Sequence, residues 1–200
     1  GYFWTKKDVN LATQLFLSVS IGMATSAWDS GKIFYTQYFK TKNNEKTFSN
    51  YFSRIAAASI IGGMFLGYTL LKTDTSLFIS LLAFIWFVFE RIFDERQRFL
   101  VAIQNFSTWS NIVLVKTLCI FFCTITLLPF EIKNKAALVS GIFIAGNCLP
   151  LLLFEKAKIK RIFNVFRTEN LKYGIESIFL NWLSITAGLA SASQTLPKYL

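Results

Sequence analysis

The 200 residues would fill one soluble domain, or about six membrane spans of ~20 residues joined by short loops. Apolar residues make up 54% and Phe alone occupies 22 positions, while charged residues make up 16% against about 25% in a typical soluble domain. So few charges cannot cover a water-exposed surface, which sets aside the soluble alternative in favour of an all-α integral membrane protein. The absence of histidine removes an imidazole base, His-ligated haem or zinc and a His proton relay, and the net charge of +10 belongs to a membrane chain rather than to a nucleic-acid binder.

Apolar runs, read against their charged interruptions, predict six membrane helices. The first covers 9–39 and is interrupted by Asp29 and Lys32. The others cover 55–71, 76–93, 111–130, 136–154 and 173–200. Nothing alternates with period two over about ten residues, as barrel strands would. Pro129 and Pro150 fall near predicted span ends, where a missing N–H is tolerated. Gly63 and Gly67 in the second span make a GxxxG spacing, read as a packing face. Cys119, Cys123 and Cys148 lie in apolar stretches without a CxxC pair and read as small buried hydrophobes. The chain opens on Gly1 without a basic, apolar signal sequence and ends at Leu200 inside an apolar stretch; both ends look cut, and a fragment of a longer protein is expected.

Charge orients these spans. The stretches 39–54, 90–98 and 155–172 hold thirteen Lys and Arg, and the alternate side holds six: Lys6, Lys7, Lys72, Lys133, Lys135 and Lys198. By the positive-inside bias the three richer stretches are cytoplasmic, and 72–75 and 131–135 are external. Within 155–172, Ile159, Ile162, Phe163 and Phe166 recur at helical spacing among Lys156, Lys158, Lys160, Arg161 and Arg167. That pattern predicts a basic amphipathic helix lying on the cytoplasmic leaflet. It would link a five-helix part, 1–154, to the first helix of a second lobe, 173–200. The charges of 90–98 are expected to pair among themselves at a cytoplasmic helix end.

A charge at mid-bilayer costs at least ~2.5 kcal/mol, so it faces protein or water. Asp29 and Lys32 are three apart on one helix face and can pair. The pair either permits burial or lines a polar cavity, and the nearby Ser26, Ser30, Tyr35, Thr36 and Gln37 favour the cavity. Lys116 has no acidic residue within four positions, and two fates are open to it: snorkelling, or projection into the same cavity. Gln194 and Lys198 belong to a polar stretch in the last span. The candidate substrate path is therefore Asp29, Lys32, Lys116, Gln194 and Lys198, with no catalytic residue, no metal and no cofactor.

With the segments placed, the chain resembles the polysaccharide-transport branch of the multidrug/oligosaccharidyl-lipid/polysaccharide (MOP) exporter superfamily, the O-antigen-type flippases. Gly1-Tyr2-Phe3 looks like the turn before that family's second helix, and Tyr51-Phe52-Ser53-Arg54 like the end of its basic loop between helices two and three. Glu95-Arg96-Gln97-Arg98-Phe99 resembles the loop after helix four, and Pro197-Lys198-Tyr199 the Pro-Arg-Tyr element of helix seven, with Lys198 in place of Arg and Gln194 near a usual Asn. An ammonium cannot repeat a bidentate guanidinium contact, so that departure puts the element's role in question. The resemblance implies helices two to seven of a multi-pass transporter in a bacterial cytoplasmic membrane. Its partners would be membrane lipids and a lipid-diphosphate-linked glycan as cargo, with no nucleic acid and no enzymatic step. Two other classes compete: a structural subunit of a multi-subunit membrane complex, in which Asp29, Lys32 and Lys116 face partner subunits, and a membrane enzyme, for which only Asp94 and Glu95 could serve.

Overall fold

The computed structural model describes residues 4–26, 44–71, 75–127 and 134–164, together with Lys172, Ile175 and Glu176; of 44–50, Phe52 and 155–164 it describes the backbone alone. The described residues form five α-helices and no strand: α1, Lys6–Ser26; α2, Asn44–Leu71; α3, Leu77–Ala102; α4, Phe106–Leu127; and α5, Lys135–Asn164. Among the described residues, three segments are long and apolar enough to cross a membrane: Ser53–Leu71, Phe106–Leu127 and Lys135–Phe154. They coincide with the second, fourth and fifth expected spans. Residues 27–39 of the first expected span, and the sixth apart from Ile175 and Glu176, lie outside the described residues.

Two stretches expected as cytoplasmic loops are helical. The backbone of 44–54 is the first three turns of α2, which runs 28 residues, and the charges of 90–98 sit inside α3, which continues to Ala102. Apolar periodicity marks a helix only where side chains are apolar; the hydrogen-bonded backbone continues through polar turns wherever neither Pro nor Gly interrupts it. Likewise the backbone of 155–164 continues α5 without a break, so the first ten residues of the expected linker are not a separate element. Pro150 stands near the end of the segment Lys135–Phe154, as expected, but α5 runs on past it, and it cannot donate a hydrogen bond to the Gly146 carbonyl.

Local chemistry explains the helix ends. Thr5 and Asp8 form a capping box at the start of α1: the Asp8 carboxylate accepts from Thr5 N and Oγ1 at 2.9 and 2.7 Å, and Thr5 Oγ1 accepts from Asp8 N at 3.2 Å. Ser76 caps α3 and Asn134 caps α5. The turn between α3 and α4 closes as a Schellman motif: Asn105 N donates to Leu100 O at 2.9 Å and Gln104 N to Val101 O at 3.0 Å. Gln104 occupies the left-handed position with φ of 57°. Asn105 then serves the next helix, its Oδ1 accepting from Thr108 N. One residue thus ends α3 and starts α4, which makes the pair a tight antiparallel hairpin.

The chain divides into two compact units, one of 1–19 with 66–156 and one of 20–65 with 157–200, with boundaries inside α1, α2 and α5. The second unit contains the buried run Ile55, Ala56, Ala57, Ala58 and Ser59, whose small side chains allow burial all round the helix. In the first unit, Leu15, Ala83, Phe87, Phe93, Leu100 and Ile112 are buried. There α4 and α5 approach so closely that a Cβ on Gly146 would come within 2.6 Å of Ile120 Cγ1. Gly67 meets nothing within 4 Å, so the GxxxG spacing expected at 63 and 67 makes no close approach at its second glycine. Close packing falls at Gly146, outside that motif.

A candidate polar node on three helices

All groups of the node lie in the first unit. Trp86, Glu90 and Phe93 fall on one face of α3 at spacings of four and three, a geometry fixed by 3.6 residues per turn. Glu90 is the hub. Its Oε1 accepts from Lys116 Nζ of α4 at 2.6 Å. Its Oε2 accepts from Asn147 Nδ2 of α5 at 2.7 Å and from Trp86 Nε1 at 3.3 Å. The Lys116 ammonium also sits 4.3 Å from the centroid of the Phe93 ring, a cation–π distance.

An aromatic layer adjoins the carboxylate: Trp86 stacks on Phe143 at 4.6 Å, and Phe16 of α1 meets both rings edge-on at 4.9 and 5.0 Å. Depth follows from helix rise: at 1.5 Å per residue Glu90 lies ~20 Å from the start of α3, Lys116 ~15 Å from the start of α4 and Asn147 ~18 Å from the start of α5. These are middle positions along their own helices, of which α4 and the 135–154 part of α5 are long and apolar enough to cross a membrane.

Asn147 is fully buried, and its orientation follows from its surroundings. Nδ2 donates both to Glu90 Oε2 and to Phe143 O, the latter at 2.9 Å. Both partners are acceptors, so the amide must present its NH₂ to them. Oδ1 is left buried with no hydrogen-bond partner among the described residues, as is Ser140 Oγ two turns away on the same face of α5.

A second charged group lies nearer the end of α3. Arg91 and Glu95 are buried and 2.6 Å apart, Arg91 also reaches Asp94 at 3.5 Å, and Arg98 holds Asp94 at 2.9 Å. These four pair among themselves as the sequence suggests, with Arg91 and Glu95 buried and Asp94 and Arg98 reaching the surface. Glu90 stands apart from them, turned toward α4 and α5. At the opposite ends of the helices, Lys135 Nζ meets Asp8 Oδ2 at 3.3 Å, which places the N-termini of α1 and α5 side by side. The two Thr5 hydrogen bonds, with Lys135 adding to them, hold the Asp8 carboxyl below its ordinary value.

Of the residues expected to form a substrate path, Asp29, Lys32, Gln194 and Lys198 lie outside the described residues. Lys116 is described, and it neither snorkels alone nor lacks a counter-charge. Its partner comes from 26 positions upstream, beyond any local search. Sequence reasoning placed Glu90 among the self-paired charges of 90–98, where it does not belong, and passed over Asn147 and Trp86. The available signal was the helical register of Trp86 and Glu90, together with the requirement that a lysine in an apolar helix find a carboxylate. Among the described residues no group of three or more His, Cys, Asp or Glu could hold a metal.

No family model matches this chain, and no curated protein or solved structure matches it.

Proposed function

We propose that this chain is part of a multi-pass membrane transporter that carries lipid-diphosphate-linked oligosaccharide from the cytoplasmic to the external leaflet of a bacterial cytoplasmic membrane. The single observation that carries the reading is the node of Glu90, Lys116 and Asn147, borne midway along their helices by a chain with three segments able to span. Ionisable groups at such depth are costly and are retained where a polar solute or charge must pass. The six spans expected from the sequence and the resemblance to O-antigen-type flippases favour the same reading. In it, Asp29, Lys32, Gln194 and Lys198 extend the polar path, and the path's excess of ammonium groups attracts the diphosphate.

The test is glycan export in cells that depend on the full-length protein. Lys116→Gln combined with Lys32→Gln is expected to reduce export at least about tenfold with expression and membrane insertion unchanged, the loss of ~1.4 kcal/mol of cargo stabilisation. Export at the parental rate in that double variant overturns the cargo role.

A second reading, a structural subunit of a membrane complex, is favoured by one feature: Glu90 already neutralises Lys116, as a purely architectural pair would. It predicts loss of co-purifying subunits, rather than loss of export, when the pair is broken.

A further inference from the structure

We propose that the outward face of α1 lines a water-filled vestibule that opens on the external side and admits anions ahead of cations. Two contacts fix the depth of α1. Asp8 meets Lys135 of α5 at 3.3 Å, and eight residues further along each helix the rings of Phe16 and Phe143 meet at 5.0 Å. The two helices therefore run parallel and in register, and α1 takes its level from Lys135–Phe154, a segment long and apolar enough to cross a membrane. At 1.5 Å per residue, Asn10, Thr13 and Gln14 lie ~3, ~7.5 and ~9 Å past Asp8. Gln14 stands level with Gly141, inside that apolar segment.

At that depth the outward face of α1 is wrong for lipid. Ala12, Leu15, Ser18 and Val19 are buried and mark the side turned to the core. Lys6, Asn10, Thr13 and Gln14 fall on the opposite side and are exposed. The Thr13 hydroxyl donates back to Val9 O at 2.9 Å and so satisfies itself. The amides of Asn10 and Gln14 have no partner among the described residues, and an unpaired amide in hydrocarbon is costly. Helix α4 of the same unit shows the contrast. From Leu114 onward its exposed face carries Leu118, Phe121, Phe122 and Ile125, and Thr117 and Thr124 donate back to their own helix. One outward face suits lipid, the other water. The polar stretch of α1 stops at Phe16, whose ring meets Trp86 and Phe143 edge-on, which makes the aromatic layer beside the node the floor of the vestibule. Charge decides what enters. Lys6 and Lys7 are exposed at the mouth without an ion pair among the described residues, whereas Asp8 is held by Thr5 and Lys135. Uncompensated ammonium groups above neutral amides concentrate anions and deplete cations. The vestibule requires this unit to lie in a membrane and is independent of what the protein carries.

Thiol reactivity in sealed cells tests both claims, with Asn10→Cys, Thr13→Cys, Gln14→Cys, Leu118→Cys and Phe121→Cys made singly in a cysteine-free full-length protein. Two membrane-impermeant methanethiosulfonates are added outside, one carrying a sulfonate and one a trimethylammonium group. The three α1 positions are expected to react at least about tenfold faster than the two α4 positions, because the thiolate that reacts forms in water and not in lipid. Relative to free cysteine, Asn10→Cys is expected to favour the sulfonate reagent at least about threefold, and Lys6→Gln with Lys7→Gln to remove that preference. Protection of all three α1 positions overturns the vestibule. Absence of the preference, or a preference that survives loss of both lysines, overturns the anion selectivity. Equally fast reaction at the α1 and α4 positions overturns instead the placement of this unit in a membrane, so the two failures are distinct.

Discussion

Removing the ammonium of Lys116 would leave the Glu90 carboxylate beside aromatic rings, with Asn147 and Trp86 as its remaining hydrogen-bond donors among the described residues. An orphaned partly buried group of this kind costs about 1–3 kcal/mol, whereas replacing both partners by apolar side chains of similar volume costs little. Lys116→Met alone is therefore expected to lower thermal stability clearly, and Lys116→Met with Glu90→Leu to restore most of it, giving a coupling of at least ~1 kcal/mol in a double-mutant cycle. Additive losses would mean that the 2.6 Å contact contributes nothing. The strain at Gln104 is simpler. A non-glycine side chain at φ of 57° is held there by the Schellman hydrogen bonds, and Gln104→Gly is expected to stabilise the turn by up to about 1 kcal/mol. Calorimetric unfolding of the two proteins measures it.

At the scale of helices, the crossing of α4 and α5 depends on a missing side chain. A Cβ at Gly146 would be 2.6 Å from Ile120 Cγ1 and 3.1 Å from its Cδ1, and the Lys116 carbonyl is next nearest. Gly146→Ala is expected to cost about 1–3 kcal/mol by forcing the helices apart beside the node, while Gly67→Ala, which meets open space, changes stability little. Equal effects at the two glycines would contradict the packing. The start of α1 carries a pH dependence. The Asp8 carboxyl is held below its ordinary value, chiefly by Thr5, so the stabilisation is present above that value and is lost as pH falls through the lower folded value. Hydrogen exchange at the first turn of α1 is expected to quicken below about pH 4. In Asp8→Asn that acid-dependent step should vanish.

How much the sequence discloses depends on which force acts at each place. Apolar length is a property of consecutive residues, and three of the expected spans reappear as segments long and apolar enough to cross a membrane. Helix ends in polar sequence were misplaced, at 44–54 and at 90–102, because charged side chains disguise a continuous backbone. The partner of Lys116 was invisible because a salt bridge across helices depends on relative depth and rotation, neither of which is written in local spacing. The exposed apolar stripe of α4 (Leu114, Leu118, Phe121, Phe122 and Ile125) is the opposite case. It needs a low-dielectric surrounding along the whole helix, and the 22 residues of α4 rise ~33 Å, enough for a bilayer core.

The central claim is that this unit is built across a membrane, with the node at mid-depth. Single cysteines at Ser107, exposed in the first turn of α4, and at Asn134, exposed beyond its far end, test it most directly in a cysteine-free full-length protein in sealed cells. A membrane-impermeant maleimide added outside is expected to label Asn134→Cys, and to label Ser107→Cys only after the cells are opened. Labelling of both from the same side would contradict a membrane-crossing α4, and with it the depth assigned to Glu90 and Lys116.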